Sequence, residues 1–198
     1  MKKVISKDGT TIAYDQSGQG PAVILVVGAF NDKATGAPLA RFLERHFTVF
    51  NYDRRGRGES GDPGPYDIER EIEDLDALIA QAGGSACVFG YSSGATLALR
   101  AAAYGLNISQ LALYEPPPTG AKAGQLAPQL AELIAAGRQG DAVELFQIEG
   151  IGIPAAVVAQ MRNAPSDGRY RTLKGQGHDI DPDVVGPVLE EFFLAQRK

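Results

Sequence analysis

Two short runs of apolar residues constrain the fold of this chain more than any other feature. Residues 22–27 read AVILVV and residues 86–91 read ACVFGY, and both runs are almost continuously apolar. A strand with one solvated face alternates polar and apolar residues, whereas a continuous apolar run indicates a strand buried on both faces. Such strands are typical of a parallel sheet that is covered by helices. The two runs therefore predict an α/β fold.

Strand and helix patterns alternate along the chain from Val23 to Tyr114. The predicted strands are 11–17, 22–27, 47–52, 86–91, 110–114 and 169–173, and the predicted helices are 38–45, 68–82, 93–104 and 184–196. This order predicts a mostly parallel, twisted sheet with helices on both faces. Because functional groups collect at the carboxyl ends of parallel strands, the residues that follow each strand are the candidates for a site.

The character of the sequence changes after Pro118. Residues 119–165 are rich in alanine, have helical patterning and contain no convincing strand. We therefore predict a small helical cap over 119–165, inserted into a core formed by residues 1–118 and 166–198.

Charge and composition exclude several classes of partner. The chain has 24 acidic and 19 basic residues and a formal net charge of −5, with the acidic residues spread out. This argues against nucleic acid or an anionic membrane as the main partner. The first residues, MKKVISKDGT, lack the apolar segment of a signal peptide, and no apolar run approaches membrane-spanning length. We expect a cytoplasmic protein with a small-molecule substrate and no membrane association.

The chain has a single cysteine, Cys87, so no intramolecular disulfide can form. Because Cys87 lies in an apolar run, its thiol is predicted to be buried. No spacing of His, Cys, Asp and Glu suggests a metal site. The expectation is a protein without a metal or other cofactor.

A G-x-S-x-G motif, Gly90-Tyr91-Ser92-Ser93-Gly94, lies between a predicted buried strand and a predicted helix. In this setting the serine occupies a tight, strained turn that lifts its hydroxyl out of the sheet. The N–H of Ser93 then lies at a helix N-terminus, where the dipole favours a developing oxyanion. The alternative is a structural turn with an idle serine.

A serine hydroxyl is a weak nucleophile and needs a base, and the chain has two histidines. His46 lies between a helix and the start of a strand, at the wrong edge of the predicted sheet. His178 lies in a loop past the strand 169–173, so its imidazole can reach Ser92. We therefore predict His178 as the base, against the alternative of a structural histidine.

In this order, the motifs resemble the α/β-hydrolase superfamily, in its serine hydrolase branch with a small helical cap. The matching pieces cover nearly the whole chain and are the strand 22–27 leading into Gly28, the segment DRRGRGES at 53–60, the GYSSG motif, the helical segment and the Gly177-His178-Asp179 loop. The resemblance implies that Ser92 is the nucleophile and His178 the base. It also implies an oxyanion hole formed by the N–H of Ser93 and that of Ala29 or Phe30.

The chain departs from the family pattern at the acid. The family acid usually follows the penultimate strand, but the segment 160–169 shows neither that strand nor the helix after it, so we expect both to be missing. Asp167 is a remnant candidate with no strand to position it. Glu115 directly follows the strand 110–114, where some family members carry the acid, and the chain order of nucleophile, acid and base is kept. The alternative for Glu115 is pairing with an arginine or capping the proline turn that follows.

Three arginines, Arg54, Arg55 and Arg57, lie in the segment 53–60. They could clamp a phosphate, but the glycines around them do not match a phosphate-cradling loop. The resemblance implies instead a structural turn beside the nucleophile strand.

The predicted function is a serine hydrolase that cleaves a small ester, lactone or thioester through an acyl-enzyme. The alternative is a catalytically degenerate family member that binds a ligand or a partner. The missing strand motivates it, because the exposed sheet edge could be covered by a second subunit in a homodimer. A third option keeps the fold and performs cofactor-free lyase, isomerase or perhydrolysis chemistry.

Overall fold

A computed structural model describes residues 1–117, 123–150, 155–162, 171, 173 and 176–195 of the chain. The chain divides into two units, Met1–Pro116 with Leu173–Lys198, and Pro117–Thr172. The first unit contains the sheet. The assignment of residues 119–165 as a cap stays a prediction.

Between Thr11 and Tyr114 the helices and strands follow the alternation that the sequence predicts. The predicted strand 169–173 is not found where the structure describes it, because Arg171 and Leu173 lie in no strand and the other three residues lie outside the described residues. The strands are β1 (Lys2–Ile5), β2 (Thr11–Ser17), β3 (Ala22–Val26), β4 (Thr48–Tyr52), β5 (Ala86–Tyr91) and β6 (Ile108–Tyr114). The helices are α1 (Lys33–Leu43), α2 (Ile68–Gln81), α3 (Ser93–Ala103), α4 (Ala123–Ala135), α5 (Gln139–Leu145), α6 (Ala155–Arg162) and α7 (Pro182–Leu194). Helices α4 to α6 belong to the second unit.

The six strands form one sheet in the order β1-β2-β4-β3-β5-β6. Strands β4, β3, β5 and β6 are parallel, whereas β1 and β2 are antiparallel to their neighbours. The ends of the central strands are aligned, because Val26 is paired with Gly90 and Tyr91 with Tyr114. The carboxyl ends of β3, β5 and β6 therefore meet at one edge of the sheet.

Helices cover both faces of the sheet. On one face, apolar side chains of α2 and α3 pack against β2, β3, β4 and β5; on the other, those of α1 and α7 pack against β3, β4 and β5. Each fully buried leucine or phenylalanine in these layers contributes about 1.5–3 kcal/mol relative to an exposed one. The predicted fold class, a mostly parallel sheet between two layers of helices, is confirmed.

Helix α1 begins at Lys33, ahead of the start at Pro38 that the sequence predicts, so the predicted boundary is wrong. The Asp32 side chain accepts a hydrogen bond from the Ala34 N–H at 2.8 Å and caps the helix. Pro38 lies inside the helix, where it removes a hydrogen bond. Burial of the helix face that includes Leu39 offsets this cost.

The described part of the second unit is helical, and a π-helical turn, Phe146–Gly150, follows α5. A cleft of about 310 Å³ in this unit is lined by Gln129, Glu132, Leu133, Ala136, Arg138 and Leu145. Residues 163–170 lie outside the described residues, so the predicted loss of a strand and a helix there stays a prediction. Within the described residues, no helix has the length and apolar character to cross a membrane.

Candidate active site

Ser92 lies on the sharp turn between β5 and α3. Its φ of 53° and ψ of −125° are rare for a residue with a side chain. The flanking glycines are needed for space, because a Cβ on Gly90 would lie 2.6 Å from the Ala95 Cα, and a Cβ on Gly94 would overlap the Val26 carbonyl oxygen. Close packing of α3 against the end of β3 therefore maintains the strained turn, as predicted from the motif.

The imidazole of His178 lies between Ser92 and Glu115. His178 belongs to the loop before α7, and Glu115 follows β6 directly with a φ of 46°. The imidazole Nε2 is 3.2 Å from the Ser92 Oγ, and Nδ1 is 2.6 Å from a carboxylate oxygen of Glu115. When the serine hydroxyl donates to Nε2, the ring hydrogen is on Nδ1 and donates to the carboxylate. The structure thus brings together three residues that the sequence analysis selects separately.

A backbone hydrogen bond also connects the turns that bear two of these residues. The N–H of Ser92 donates to the carbonyl oxygen of Tyr114 at 2.9 Å. Because Glu115 directly follows Tyr114, the pairing of β5 with β6 sets the distance between the hydroxyl and the carboxylate. The imidazole of His178 then lies between these two groups as long as its loop is held in place.

Two tyrosines that the sequence analysis does not select hold the loop of His178. The Tyr91 ring centroid is 5.1 Å from the imidazole centroid, with the rings tilted by 40°. The Tyr114 hydroxyl donates to the Gly177 carbonyl oxygen at 2.9 Å. Each tyrosine is the last residue of its strand, directly before a candidate site residue, and this position is the signal that could have identified it.

The side chains of His178 and Glu115 are 57% and 47% exposed. Water therefore screens the interaction between the two groups. Burial, followed by the nearby carboxylates, raises the pKa of Tyr91 and of Tyr114 above the ordinary value. The Tyr114 hydroxyl consequently keeps its proton at neutral pH and remains a hydrogen-bond donor.

The predicted oxyanion donors lie on two segments beside Ser92. Ser93 is the first residue of α3, so its N–H belongs to the helix N-terminus. On the loop after β3, a Cβ added to Gly28 would lie 3.1 Å from the Ser92 Cβ, so this loop passes directly beside the turn. Ala29 shares a peptide unit with Gly28, whereas Phe30 has a φ of 59° and a fully exposed side chain. Of the two alternative oxyanion donors on this loop, the closeness of Gly28 to Ser92 favours the N–H of Ala29.

Two buried ion pairs hold the segment after β4 beside the turn at Ser92. Arg54 donates to both carboxylate oxygens of Glu71 at 2.6 Å, and Arg55 donates to both oxygens of Asp74 at 2.7 Å. Arg54 also donates from Nη1 to the Ser93 Oγ at 3.1 Å. Burial by itself would lower the pKa of Arg54, but Glu71 outweighs it and the net shift is upward. Since bidentate pairs fix geometry as well as charge, both arginines have a structural role.

Asp53 is a buried carboxylate that connects this segment to α1. It accepts hydrogen bonds from the Lys33 N–H at 2.8 Å, from the Lys33 Nζ at 2.7 Å and from the Glu59 N–H at 3.0 Å. Burial by itself would raise the pKa of Asp53, but these donors outweigh it and hold the pKa below its ordinary value. The carboxylate is therefore ionised at neutral pH and fixes the loop that precedes α1.

A cleft of about 680 Å³ opens between the loop after β3 and the segment after β4. It is lined by Ala29, Phe30, Asn31, Asp32, Thr35, Gly56, Arg57 and Gly58. The cleft therefore adjoins the segment that carries the candidate oxyanion donor Ala29.

Other sequence candidates are not part of this cluster. The His46 side chain is 52% exposed and its Nε2 lies 3.9 Å from a Glu190 carboxylate oxygen. Asp167 lies outside the described residues. Within the part of the chain that the structure describes, no three His, Cys, Asp or Glu side chains are grouped so that they could hold a metal ion.

Comparisons with known proteins agree with this architecture. Residues 23–191 match the model of the alpha/beta hydrolase family. The crystal structure of an alpha/beta hydrolase from Sphaerobacter thermophilus is 41% identical to this chain with a TM-score of 0.69, and the match covers 97% of this chain and 100% of that one. The match therefore extends over the whole of that chain.

Two curated relatives match shorter stretches. The uncharacterized hydrolase YraK of Bacillus subtilis is 36% identical over 95 residues, which is 46% of this chain and 35% of that protein. N-formylmaleamate deformylase of Pseudomonas putida is 36% identical over 107 residues, which is 52% of this chain and 40% of that protein. The matched stretches thus span less than half the length of these relatives. The family match over most of the chain, and the fold and motif order that accompany it, show that this protein belongs to the alpha/beta hydrolase family.

Proposed function

We propose that this chain is a serine hydrolase that cleaves a small ester, lactone or thioester through an acyl-enzyme. Ser92 is the nucleophile, His178 the general base and Glu115 the acid that orients the imidazole. The observation that carries the proposal is the continuous contact from the Ser92 Oγ through the imidazole to the carboxylate, at 3.2 Å and 2.6 Å.

Acylation uses each of these contacts. The Ser92 oxygen forms a bond to the substrate carbonyl carbon, and its proton passes to the His178 Nε2. Glu115 stabilises the imidazolium through Nδ1. The carbonyl oxygen becomes an oxyanion that accepts hydrogen bonds from the N–H groups of Ser93 and Ala29. When this intermediate collapses, the bond to the leaving oxygen or sulfur breaks, and His178 gives its proton to the leaving group.

Deacylation repeats the sequence with water. A water molecule gives a proton to the His178 Nε2 while its oxygen bonds to the acyl carbon. The same donors hold the second oxyanion. Collapse then breaks the bond to the Ser92 oxygen, which takes the proton back from the imidazolium, and the carboxylic acid is released.

The name of one relative adds a substrate to test. N-formylmaleamate deformylase is named for the removal of a formyl group, and it is 36% identical over half of this chain. An N-formyl amide is cleaved by the same attack on a carbonyl carbon, with nitrogen as the leaving atom. We therefore include this class with the esters, lactones and thioesters.

The test combines active-site labelling with turnover. A fluorophosphonate probe should add to Ser92 in the wild-type protein, and p-nitrophenyl acetate, a lactone, a thioester and an N-formyl amide form the substrate panel. Ser92→Ala should abolish labelling and reduce hydrolysis at least about 1,000-fold while Tm stays near the wild-type value. The control, Ser85→Ala, replaces an exposed serine between α2 and β5 and should behave as wild type.

Folded wild-type protein that neither reacts with the probe nor cleaves any member of the panel would contradict the proposal. That outcome would favour the alternative of a catalytically degenerate, ligand-binding family member. A large fall in Tm for Ser92→Ala would show that the serine is mainly structural.

A further inference from the structure

Arg57 makes contacts that differ from those of its two neighbouring arginines. Its Nη1 donates to the Gly28 carbonyl oxygen at 2.7 Å, with a longer contact of 3.4 Å to the Asn31 carbonyl oxygen. Arg54 and Arg55 form bidentate ion pairs, whereas no described carboxylate lies within ion-pairing distance of Arg57. Its charge is therefore directed at the backbone of the loop after β3.

The carbonyl that Arg57 holds belongs to the same peptide unit as the Ala29 N–H. A trans peptide is planar, and its C=O and N–H bonds point in opposite directions. A donor that holds the oxygen of this peptide therefore also sets the direction of the Ala29 N–H, which points away from the guanidinium. The peptide lies next to the nucleophile, since a Cβ on Gly28 would lie 3.1 Å from the Ser92 Cβ.

The positive charge adds a second effect. A hydrogen bond from a charged donor is roughly twice as strong as a neutral one, and bonds in a chain polarise one another. Burial, with Arg54 nearby, lowers the pKa of Arg57, but a guanidinium stays protonated at neutral pH. A cation on the carbonyl oxygen draws electron density from the amide nitrogen, so the Ala29 N–H becomes a stronger donor.

We propose that Arg57 is a positioning residue that orients and polarises the Gly28–Ala29 peptide, so that the Ala29 N–H stabilises the oxyanion of the transition state. In this role Arg57 acts on the peptide through its carbonyl oxygen and not on the substrate directly. This inference rests on the proposed serine hydrolase function and adds the residue that prepares one wall of its oxyanion hole.

The test compares Arg57→Met, Arg57→Lys, Arg57→Ala and a control, Arg45→Met. Arg45 is a 54% exposed arginine after α1, near the edge where the strands begin, with its own ion pair to Glu190. The rate of p-nitrophenyl acetate hydrolysis is divided by the concentration of serine labelled at complete reaction with fluorophosphonate, so misfolded protein is not counted. Loss of one oxyanion donor costs about 100- to 1,000-fold, and loss of its orientation should cost less.

We expect kcat of Arg57→Met to fall about 10- to 100-fold with KM within about twofold of wild type. Arg57→Lys, which keeps a charged donor, should recover part of kcat, and so should methylguanidinium added to Arg57→Ala. The affinity for phenylboronic acid, whose serine adduct is tetrahedral, should fall by the same factor as kcat/KM. Arg45→Met should match wild type in all of these measurements.

Two results would overturn the inference while leaving the proposed function intact. One is a wild-type kcat per labelled serine in Arg57→Met. The other is a reduced kcat that neither lysine nor methylguanidinium restores and that boronate affinity does not follow, as expected of a residue that only stabilises the fold. A wild-type protein that is neither labelled nor active would instead refute the proposed function itself.

Discussion

Replacing Glu115 with Gln separates the two candidate acids most directly. Glutamine keeps the size of the side chain but removes its charge, and its amide group would donate to the His178 Nδ1. This favours the tautomer with its hydrogen on Nε2, which cannot accept the proton of Ser92. The variant therefore loses both the charge that stabilises the imidazolium and the tautomer that acts as a base.

The contact geometry sets the expected magnitude. Two unit charges with centres about 4 Å apart interact by about 1 kcal/mol in bulk water and by about 4 kcal/mol at an effective dielectric constant of about 20. Because the Glu115 and His178 side chains are 47% and 57% exposed, the value for this pair lies between these limits. These energies correspond to losses in rate of about 5-fold to about 1,000-fold. With the tautomer effect included, we expect kcat to fall about 100- to 1,000-fold.

The assay is the release of p-nitrophenolate from p-nitrophenyl acetate, with Ser92→Ala as the background rate. Glu115→Asp keeps a carboxylate on a shorter side chain and should lose less activity than Glu115→Gln. Asp167→Asn is the control, because Asp167 is the competing acid from the sequence, and it should retain the wild-type rate.

A wild-type rate in Glu115→Gln would refute this reasoning. If Asp167→Asn were then slow, Asp167 would be the acid, and if both variants were fast, the imidazole would act without a carboxylate. A fall in Tm of Glu115→Gln large enough to account for its loss of activity would indicate a structural role for the carboxylate.

Tyr114→Phe removes the hydroxyl that holds the loop of His178. Because one net hydrogen bond contributes about 1 kcal/mol, we expect kcat to fall about 5-fold at an almost constant Tm. An unchanged kcat would contradict this. Gly94→Ala places a Cβ against a backbone carbonyl of β3. We expect thermal unfolding to show a fall in Tm of about 10 °C. A wild-type Tm would show that the turn can relax. The pKa of Asp53 lies below its ordinary value in the folded chain, so its contribution to the free energy of unfolding is complete above about pH 5 and is lost as the pH falls through the folded-state pKa. Urea unfolding of wild type and Asp53→Asn should therefore differ at pH 7 and converge in acid, and a constant difference would contradict the assignment.

The features that local patterns encode were accessible from the sequence. The boundaries of β5 match those predicted for residues 86–91, because a fully buried strand leaves a continuous apolar run. The G-x-S-x-G motif likewise predicts the strained turn at Ser92, since the glycines can be recognised by their spacing. The predicted start of α1 is wrong because proline is common in the first turn of a helix, whereas here the N-cap is Asp32 and Pro38 lies inside the helix.

Strand β1 is not predicted from its sequence, for a different reason. Lys2–Ile5 is a short strand at the edge of the sheet, and most of its residues are exposed. Its conformation depends on antiparallel pairing with β2, which no local pattern encodes. Charged residues on an edge strand also hide it from a search for apolar alternation.

By itself, the sequence determined the alternation of elements from β2 to β6, the turn at Ser92 and the loop of His178, because periodicity and turn chemistry act over a few neighbouring residues. Only the tertiary structure decided that Glu115 lies 2.6 Å from the imidazole, that Tyr114 holds the loop of His178 and that Arg57 holds the Gly28 carbonyl. These contacts join residues distant in the chain. They arise because parallel pairing brings the ends of β3, β5 and β6 to one edge, and the register of that pairing is a property of the whole sheet.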